Sequence, residues 1–271
     1  MDFATIIGLI IGLCALIFGF VIEGGSLSAL LQGTAALIVF GGTIGAVVVG
    51  FPFRTLKRVP FILKYAFFEK RFRPEETIDK LVDLANVSRR EGLLALEGHL
   101  DDNKDNEFLR EGIQMIIDGG EPEMIQDILN RRIDRYEENI LSIGKVFEAA
   151  GGFAPTMGII GTVMGLIHVL GGLDDPSSLG PAIAVAFIAT LYGVASANII
   201  YLPIFNKIKA RLEQDVMIME LQAEGLMSIQ SGENTTIIKS KLTAFLDRSG
   251  RKKASHDDII PDSQADVTID G

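Results

Sequence analysis

The sequence predicts an all-α membrane protein with four transmembrane helices and a helical cytoplasmic domain, and three observations support this fold class. Of its 271 residues, 48% are hydrophobic, and the mean hydropathy of +0.33 exceeds what a solvated globular surface allows. Uncharged runs long enough to cross a bilayer alternate with stretches rich in charge. Lysine and arginine follow the second and the fourth run, whereas the short turn inside each pair of runs carries neither.

Four uncharged runs define the membrane spans, which we predict at residues 3–22, 26–53, 149–173 and 177–205. At a rise of about 1.5 Å per residue, each run can cross a hydrocarbon core of about 30 Å. The only charged residue between the first two spans is Glu23, and the only ones between the last two are Asp174 and Asp175. The spans therefore form two tight hairpins. No basic segment precedes span one, so we expect it to be retained and not cleaved as a signal peptide.

Basic residues set the orientation of the spans. They follow spans two and four, at Arg54, Lys57, Arg58, Lys64, Lys70, Arg71, Arg73, Lys207, Lys209 and Arg211. By the positive-inside rule, we expect both termini and the middle region in the cytoplasm. The predicted segments are a transmembrane hairpin at 1–53, a cytoplasmic helical domain at 54–143, a second hairpin at 144–206, a cytoplasmic helix at 207–250 and a disordered tail at 251–271.

Sequence signals place three helices in the middle region. The first begins at Pro74, and its apolar residues recur at three-to-four spacing at Ile78, Leu81, Val82 and Ala85. The second covers residues 108–117 and ends at 118–120. The third begins at Pro122 and has no breaker before Gly144, so we expect it to continue into span three.

The spans contain small residues but no Asp, Glu, Lys or Arg, so an ion path through this chain needs a carboxylate from another chain. Small residues form one face on span three and one on span four, at Gly158, Gly161 and Gly165, and at Ala186, Ala189, Gly193 and Ala197. Such faces allow close helix packing, either within one subunit or between subunits.

On spans three and four, three threonines place hydroxyl oxygen atoms in the hydrocarbon region: Thr156 and Thr162 on span three and Thr190 on span four. A threonine hydroxyl either bonds to a carbonyl of its own helix or, together with backbone carbonyls, ligates a dehydrated Na⁺. Thr162 and Thr190 are the stronger candidates for an ion path because each lies on or beside a small-residue face. Pro155 and Pro203 remove backbone donors near the cytoplasmic ends of spans three and four, which favours either hinges or simple helix ends.

Other classes of protein find little support in the sequence. It has no Gly-rich phosphate loop, no His-Glu-x-x-His motif and only three histidines, so we predict no enzyme, no metal site and no cofactor. The net charge of −10 indicates solubility and gives no indication of nucleic-acid binding. The single cysteine, Cys14, excludes a disulfide framework.

Three segments carry a family pattern. They are Phe-Ala-Pro-Thr-Met-Gly-Ile-Ile-Gly-Thr-Val-Met-Gly-Leu at 153–166, Ala-Thr-Leu-Tyr-Gly at 189–193 and Ser-Arg-Arg-Glu-Gly-Leu-Leu-Ala-Leu-Glu at 88–97. Together with the order of spans and the loop sizes, they resemble the MotA/PomA family of bacterial flagellar stators over nearly the whole chain. The resemblance implies an ion-driven torque generator in the bacterial inner membrane that transports Na⁺ or H⁺ without a cofactor.

The resemblance also implies partners. In the family, five copies surround two single-span chains of the MotB/PomB type, whose aspartate carries the ion and supplies the carboxylate that this sequence lacks. Ion passage is coupled to rotation of the five-fold ring, and the cytoplasmic domain pushes on the rotor protein FliG.

Individual residues match functional positions of that family. Pro155 and Pro203 match its conformationally important prolines. Arg89, beside Arg90, and Glu97 match the charged pair that contacts the rotor, although by themselves such charges would indicate only a solvated helix face.

The choice of ion rests on the same threonines. Thr162 and Thr190 resemble the sodium-type members, in which threonine hydroxyls help to hold dehydrated Na⁺. Ala189 stands where those members tend to have a second threonine. We expect Na⁺ in preference to H⁺.

Three alternatives make different predictions. A relative of the ExbB/TolQ type also uses a pentamer and a borrowed aspartate, but those chains have three spans in a different loop order. A solute transporter working alone needs broken helices or polar groups at mid-membrane, which these spans do not show clearly. A passive scaffold predicts that Thr162 and Thr190 tolerate replacement without loss of ion flux.

Overall fold

The computed structural model describes residues 3–68, 72–101, 106–171 and 176–257, and within those ranges the chain contains helices and turns but no strand. The α-helices are α1 (Phe3–Ile22), α2 (Gly33–Ala36), α3 (Gly42–Gly50), α4 (Phe53–Leu56), α5 (Val59–Phe67), α6 (Pro74–Glu91), α7 (Glu107–Ile117), α8 (Pro122–Gly171), α9 (Pro176–Ser196), α10 (Leu202–Gln230) and α11 (Thr235–Asp257). Short 3₁₀ helices cover Leu27–Leu30 and Leu93–His99, and π turns cover Leu37–Gly41 and Ala197–Tyr201. The predicted all-α class is confirmed.

Within the described ranges, four helical segments are long and apolar enough to cross a membrane, as predicted. They are Thr5–Ile22, Leu27–Gly50, Pro122–Gly171 and Ala182–Gln230. The last two extend far beyond a bilayer's thickness, because a membrane span and a charged helix are continuous in each. For α8 this confirms the expectation that the helix beginning at Pro122 continues through Gly144 into span three.

The chain divides into two compact units, Met1–Arg71 with Tyr136–Glu213, and Phe72–Arg135 with Gln214–Gly271. We call the first the membrane unit, because it contains the four apolar runs, and the second the extramembrane unit. Residues 54–68, which the sequence analysis placed in the cytoplasmic domain, belong to the membrane unit. The reason is packing: Leu56 and Val59 contact a buried cluster formed by Val47 and Val146.

The two π turns interrupt spans two and four, and the sequence analysis did not predict them. In span four the N–H of Leu202 donates to the carbonyl of Ala197, five residues back. The next residue is Pro203, which has no N–H to continue the ladder. The π turn directly before this proline therefore changes the backbone locally, at the position where the sequence predicted either a hinge or a helix end.

The extramembrane unit has its own hydrophobic core. The core is formed by helices α6, α7 and α11, the 3₁₀ helix Leu93–His99, the N-terminal part of α8 and the C-terminal part of α10. Its fully buried side chains are Leu81, Leu96, Leu109, Ile113, Ile125, Leu129, Leu221, Leu226, Ile238 and Leu242. The predicted helix boundaries at Pro74, Asp118 and Pro122 are confirmed. Helix α11 reaches Asp257, beyond the start of the predicted tail, and residues 258–271 lie outside the described part of the chain.

Candidate functional site in the contact of spans three and four

Spans three and four pack closely along their glycine faces. A Cβ atom at Gly158 would lie 2.9 Å from the carbonyl oxygen of Ala189, and one at Gly165 would lie 2.7 Å from the Cβ of Ala186. A Cβ at Gly161 would lie 2.6 Å from the Cβ of Ala189. These distances are too short for any larger side chain without movement, so the glycines set the separation of the two helices.

Gly193 is the matching glycine on span four. A Cβ there would lie 3.2 Å from the Cα of Gly158 and would also collide with the carbonyl of Ala154. Both Gly158 and Gly193 are buried. The small-residue faces of the two spans therefore meet within one subunit, which is one of the two arrangements that the sequence allowed.

Thr162 and Thr190 meet at the edge of this contact. Their hydroxyl groups are hydrogen-bonded to each other, and both residues are half-buried. The Oγ1 of Thr162 also lies 3.1 Å from the carbonyl oxygen of Gly158 and 2.9 Å from that of Ala186. Since a hydroxyl has one hydrogen, Thr162 can donate to one of these carbonyls while it accepts from Thr190.

Four oxygen atoms thus converge at one point of the membrane unit. Two are hydroxyl oxygens, of Thr162 and Thr190, and two are backbone carbonyl oxygens, of Gly158 and Ala186. Neutral oxygens of this kind replace the hydration shell of an alkali cation in channels. In the described residues no group of three or more His, Cys, Asp or Glu side chains is placed to hold a metal ion.

Thr156 does not join this group. Its hydroxyl donates to the carbonyl oxygen of Phe153 on its own helix, at 2.7 Å, and the residue is exposed. Pro155 lies next to it inside α8, which continues without a break. Pro203 is exposed near the beginning of α10.

Tyr192 is a site residue that the sequence analysis missed. Its hydroxyl donates to the carbonyl of Leu30 and accepts from the N–H of Gln32 at 3.2 Å, which ties span four to the beginning of span two. The ring stacks on Phe40, with centroids 6.0 Å apart. A tyrosine in an uncharged span needs a partner for its hydroxyl, and that requirement is the signal that could have identified it.

The charged residues assigned to the rotor contact lie in the extramembrane unit. Arg89 and Arg90 are in the last turn of α6, and Glu97 is in the following 3₁₀ helix. Between them the backbone of Gly92 has φ +88°, a conformation that favours glycine and ends the helix. All three charged side chains are exposed, while Leu96 anchors the segment in the core.

Comparison with known proteins identifies the family. Residues 100–221 match the model of the MotA/TolQ/ExbB proton channel family, and residues 6–92 match that of the motility protein A N-terminal region. Motility protein A of Bacillus subtilis (strain 168) is 39% identical over 254 residues, which cover 93% of this chain and 94% of that protein. The chain belongs to the MotA/PomA family of flagellar stator subunits.

Other members and solved structures agree with this assignment. Chemotaxis protein PomA of Vibrio alginolyticus is 37% identical over 251 residues, which cover 93% of this chain and 98% of that protein. The flagellar MotAB stator complex from Bacillus subtilis matches with a TM-score of 0.84 and 38% identity, covering 92% of this chain and 97% of its own. MotAB of C. jejuni matches with a TM-score of 0.86 and 29% identity, covering 90% and 96%.

The match of the N-terminal region separates this MotA/PomA member from the ExbB/TolQ alternative. That region, residues 6–92, contains the first two apolar spans of a four-span chain, whereas the ExbB/TolQ type has three spans. The chain is therefore a subunit of a flagellar stator, which couples ion flow across the membrane to torque on the motor.

Proposed function

We propose that this stator subunit conducts Na⁺ past the hydroxyl groups of Thr162 and Thr190. The observation that carries the proposal is the convergence of these two hydroxyl oxygens with the carbonyl oxygens of Gly158 and Ala186. A proton needs only a chain of hydrogen bonds, whereas a dehydrated cation needs several oxygen ligands at once. The hydroxyl of Thr156 is bonded within its own helix, so its part in the ion path as a third threonine remains a prediction.

The same proposal assigns the missing negative charge to a partner. The spans of this chain contain no Asp or Glu, so the ion's counter-charge comes from the aspartate of a single-span MotB/PomB-type chain. Five copies of this chain surround two such partners in the bacterial inner membrane. The proposal assigns no catalytic residue and no cofactor to this chain.

Torque is delivered by the extramembrane unit. Exposed Arg89, Arg90 and Glu97 contact the rotor protein FliG, and both termini of the chain lie in the cytoplasm. Pro155 lies on α8, the helix that contains Thr162, and Pro203 lies at the beginning of α10. These two prolines transmit the conformational change that accompanies ion passage.

The proposal is tested in a flagellated host from which the stator genes are deleted, expressing this chain with its partner. Swimming speed is measured at fixed pH over a range of external Na⁺. A speed that rises with Na⁺ and saturates supports the proposal. A speed that is indifferent to Na⁺ and abolished by a protonophore would assign H⁺ as the transported ion.

A further inference from the structure

The segment that follows span two is an amphipathic helical arm. Helices α4 and α5, joined by Lys57 and Arg58 in helical conformation, carry the chain from Phe53 to Phe67. One face of this arm packs inside the membrane unit: Ile62 and Ala66 are buried, and Leu56 and Val59 contact the cluster around Val146.

The opposite face alternates aromatic and basic side chains. Phe53, Lys57, Phe61, Lys64 and Phe68 follow one another every three or four residues, the spacing of a single helix face. The three phenylalanines are 70%, 51% and 53% exposed. Exposure of three large rings on one short arm marks a surface that normally meets another apolar phase.

Basic side chains lie over two rings of this face, and no acidic residue of the arm neutralises their charge. The Nζ of Lys57 lies 4.9 Å from the ring centroid of Phe53, and the guanidinium carbon of Arg58 lies 5.9 Å from that of Phe61. No Asp or Glu occurs between Phe51 and Phe68 in the sequence. Within the described residues Arg54, Lys57, Arg58 and Lys64 have no salt bridge, so their charge is available to an anionic partner.

Arg211 of α10 fixes the arm at its other end. Its Nη1 donates to the carbonyl oxygens of Tyr65, in the last turn of α5, and of Phe68, which directly follows α5. Its guanidinium carbon lies 4.4 Å from the ring centroid of Tyr65. A cation at the C-terminal end of a helix satisfies carbonyls that have no partner within the helix and opposes the helix dipole. The arm is therefore held to the membrane unit at both ends.

We propose that this arm is a docking surface for the anionic phospholipids of the bilayer, with Phe53, Phe61 and Phe68 at the boundary of head groups and acyl chains. Arg54, Lys57, Arg58 and Lys64 bind the phosphates. This inference does not depend on which ion the stator conducts.

Two features favour a lipid surface over a protein. The arm begins directly after span two, which ends at Gly50, so the bilayer surface is the phase that it first meets. Its composition, basic residues interleaved with aromatic ones on one face, is that of helices that lie in the membrane interface and attract anionic lipid.

The test uses the full chain with its partner, purified in mild detergent and supplied with equal amounts of phosphatidylglycerol and phosphatidylcholine. Native mass spectrometry counts the bound molecules of each lipid. The wild type is expected to retain phosphatidylglycerol in preference, and the variant R54Q/K57Q/R58Q/K64Q is expected to lose that preference by at least about tenfold, since each basic residue at an anionic surface contributes roughly fivefold.

A matched control removes four exposed cations elsewhere, in the variant K80Q/R110Q/R131Q/R135Q, which changes the net charge equally and should keep the preference. A second variant, F53S/F61S/F68S, keeps the cations. It should bind phosphatidylglycerol at low salt and lose it at about 1 M salt, where the screening length falls to about 3 Å. Equal retention of the two lipids by the wild type would overturn the proposal. So would unchanged preference in the four-cation variant, or displacement of the lipid by excess soluble glycerol phosphate.

Discussion

The hydroxyl groups of Thr162 and Thr190 are hydrogen-bonded to each other across the contact of spans three and four. The two helices approach closely enough for this bond because Gly158 and Gly161 face Ala189 without side chains of their own. The hydroxyl pair thus depends on the glycine face: the glycines determine the helix separation, and that separation brings four oxygen atoms together.

The glycine face makes a prediction about stability. Gly158→Ala places a methyl group 2.9 Å from the carbonyl oxygen of Ala189, so we expect the free energy of unfolding to fall by about 1–3 kcal/mol. The matched control is Gly152→Ala on the same helix, where a Cβ meets nothing within 4 Å. Thermal unfolding of the purified complex in detergent checks both, and equal melting temperatures for the two variants would contradict the close contact.

Tyr192 predicts a local effect at the beginning of span two. Tyr192→Phe removes the hydroxyl that bonds to Leu30 and Gln32, a loss of about 1–2 kcal/mol. Hydrogen exchange of residues 27–36 should become faster by roughly tenfold. Tyr201→Phe, on the same span, serves as the control and should leave this exchange unchanged. Equal exchange in both variants would mean that the Tyr192 hydroxyl does not hold the beginning of span two.

The rotor contact predicts a defect in torque without a defect in conduction. Arg89→Glu reverses an exposed charge that makes no contribution to the core, so the stator should still assemble and pass ions while swimming speed falls severalfold. Arg135→Glu, also exposed and also in the extramembrane unit, is the matched control for charge. Suppression of the defect by an opposite charge change in the rotor protein would support direct contact, and equal speeds for the two variants would contradict it.

Lys241 connects α11 to the rest of the extramembrane unit, and this contact makes a prediction about stability. A hydrogen bond to Glu224, at 2.6 Å, raises the pKa of Lys241 above its ordinary value, and Ser228 accepts a further bond at 3.1 Å. Because the pKa is raised on folding, the stabilisation is fully present at neutral pH and is lost only as the pH rises above the ordinary lysine range. The side chain is 41% exposed, so Lys241→Gln should cost no more than about 1 kcal/mol.

The control for this prediction is Lys239→Gln. Lys239 pairs with Asp79, but both side chains are more than half exposed, so the loss of this pair should change stability little. Chemical denaturation of both variants at pH 7 and at pH 11 makes the comparison. If the two variants were equally stable at pH 7, the Glu224 and Ser228 contacts would contribute nothing specific.

The sequence predicted the helices whose ends are marked by proline or glycine. Pro74 and Pro122 begin helices because a proline loses nothing in the first turn, and Asp118 precedes a glycine pair that ends one. The four spans followed from length and the absence of charge. These signals are local, so a single chain is enough to recognise them.

Features that depend on contacts between distant segments were not predictable. The bond between Tyr192 and Leu30 joins residues far apart in the chain, and the π turn at Leu37–Gly41 has no signal in its own residues. Thr162 and Thr190 were selected because each lies near a small-residue face, but their contact depends on the register of two helices. The placement of residues 54–68 with the membrane unit likewise required the packing of Leu56 and Val59.

The central claim is that the oxygen atoms around Thr162 hold Na⁺, and uptake of radioactive Na⁺ by vesicles containing the chain and its partner tests it most directly. Thr162→Val removes one hydroxyl at constant shape, Thr162→Ser keeps it, and Thr43→Val removes a hydroxyl that is bonded within span two. We predict that uptake falls at least about tenfold in Thr162→Val, the loss of one ligand oxygen, and remains in Thr162→Ser and Thr43→Val. Uptake by Thr162→Val equal to that of the wild type would contradict the account.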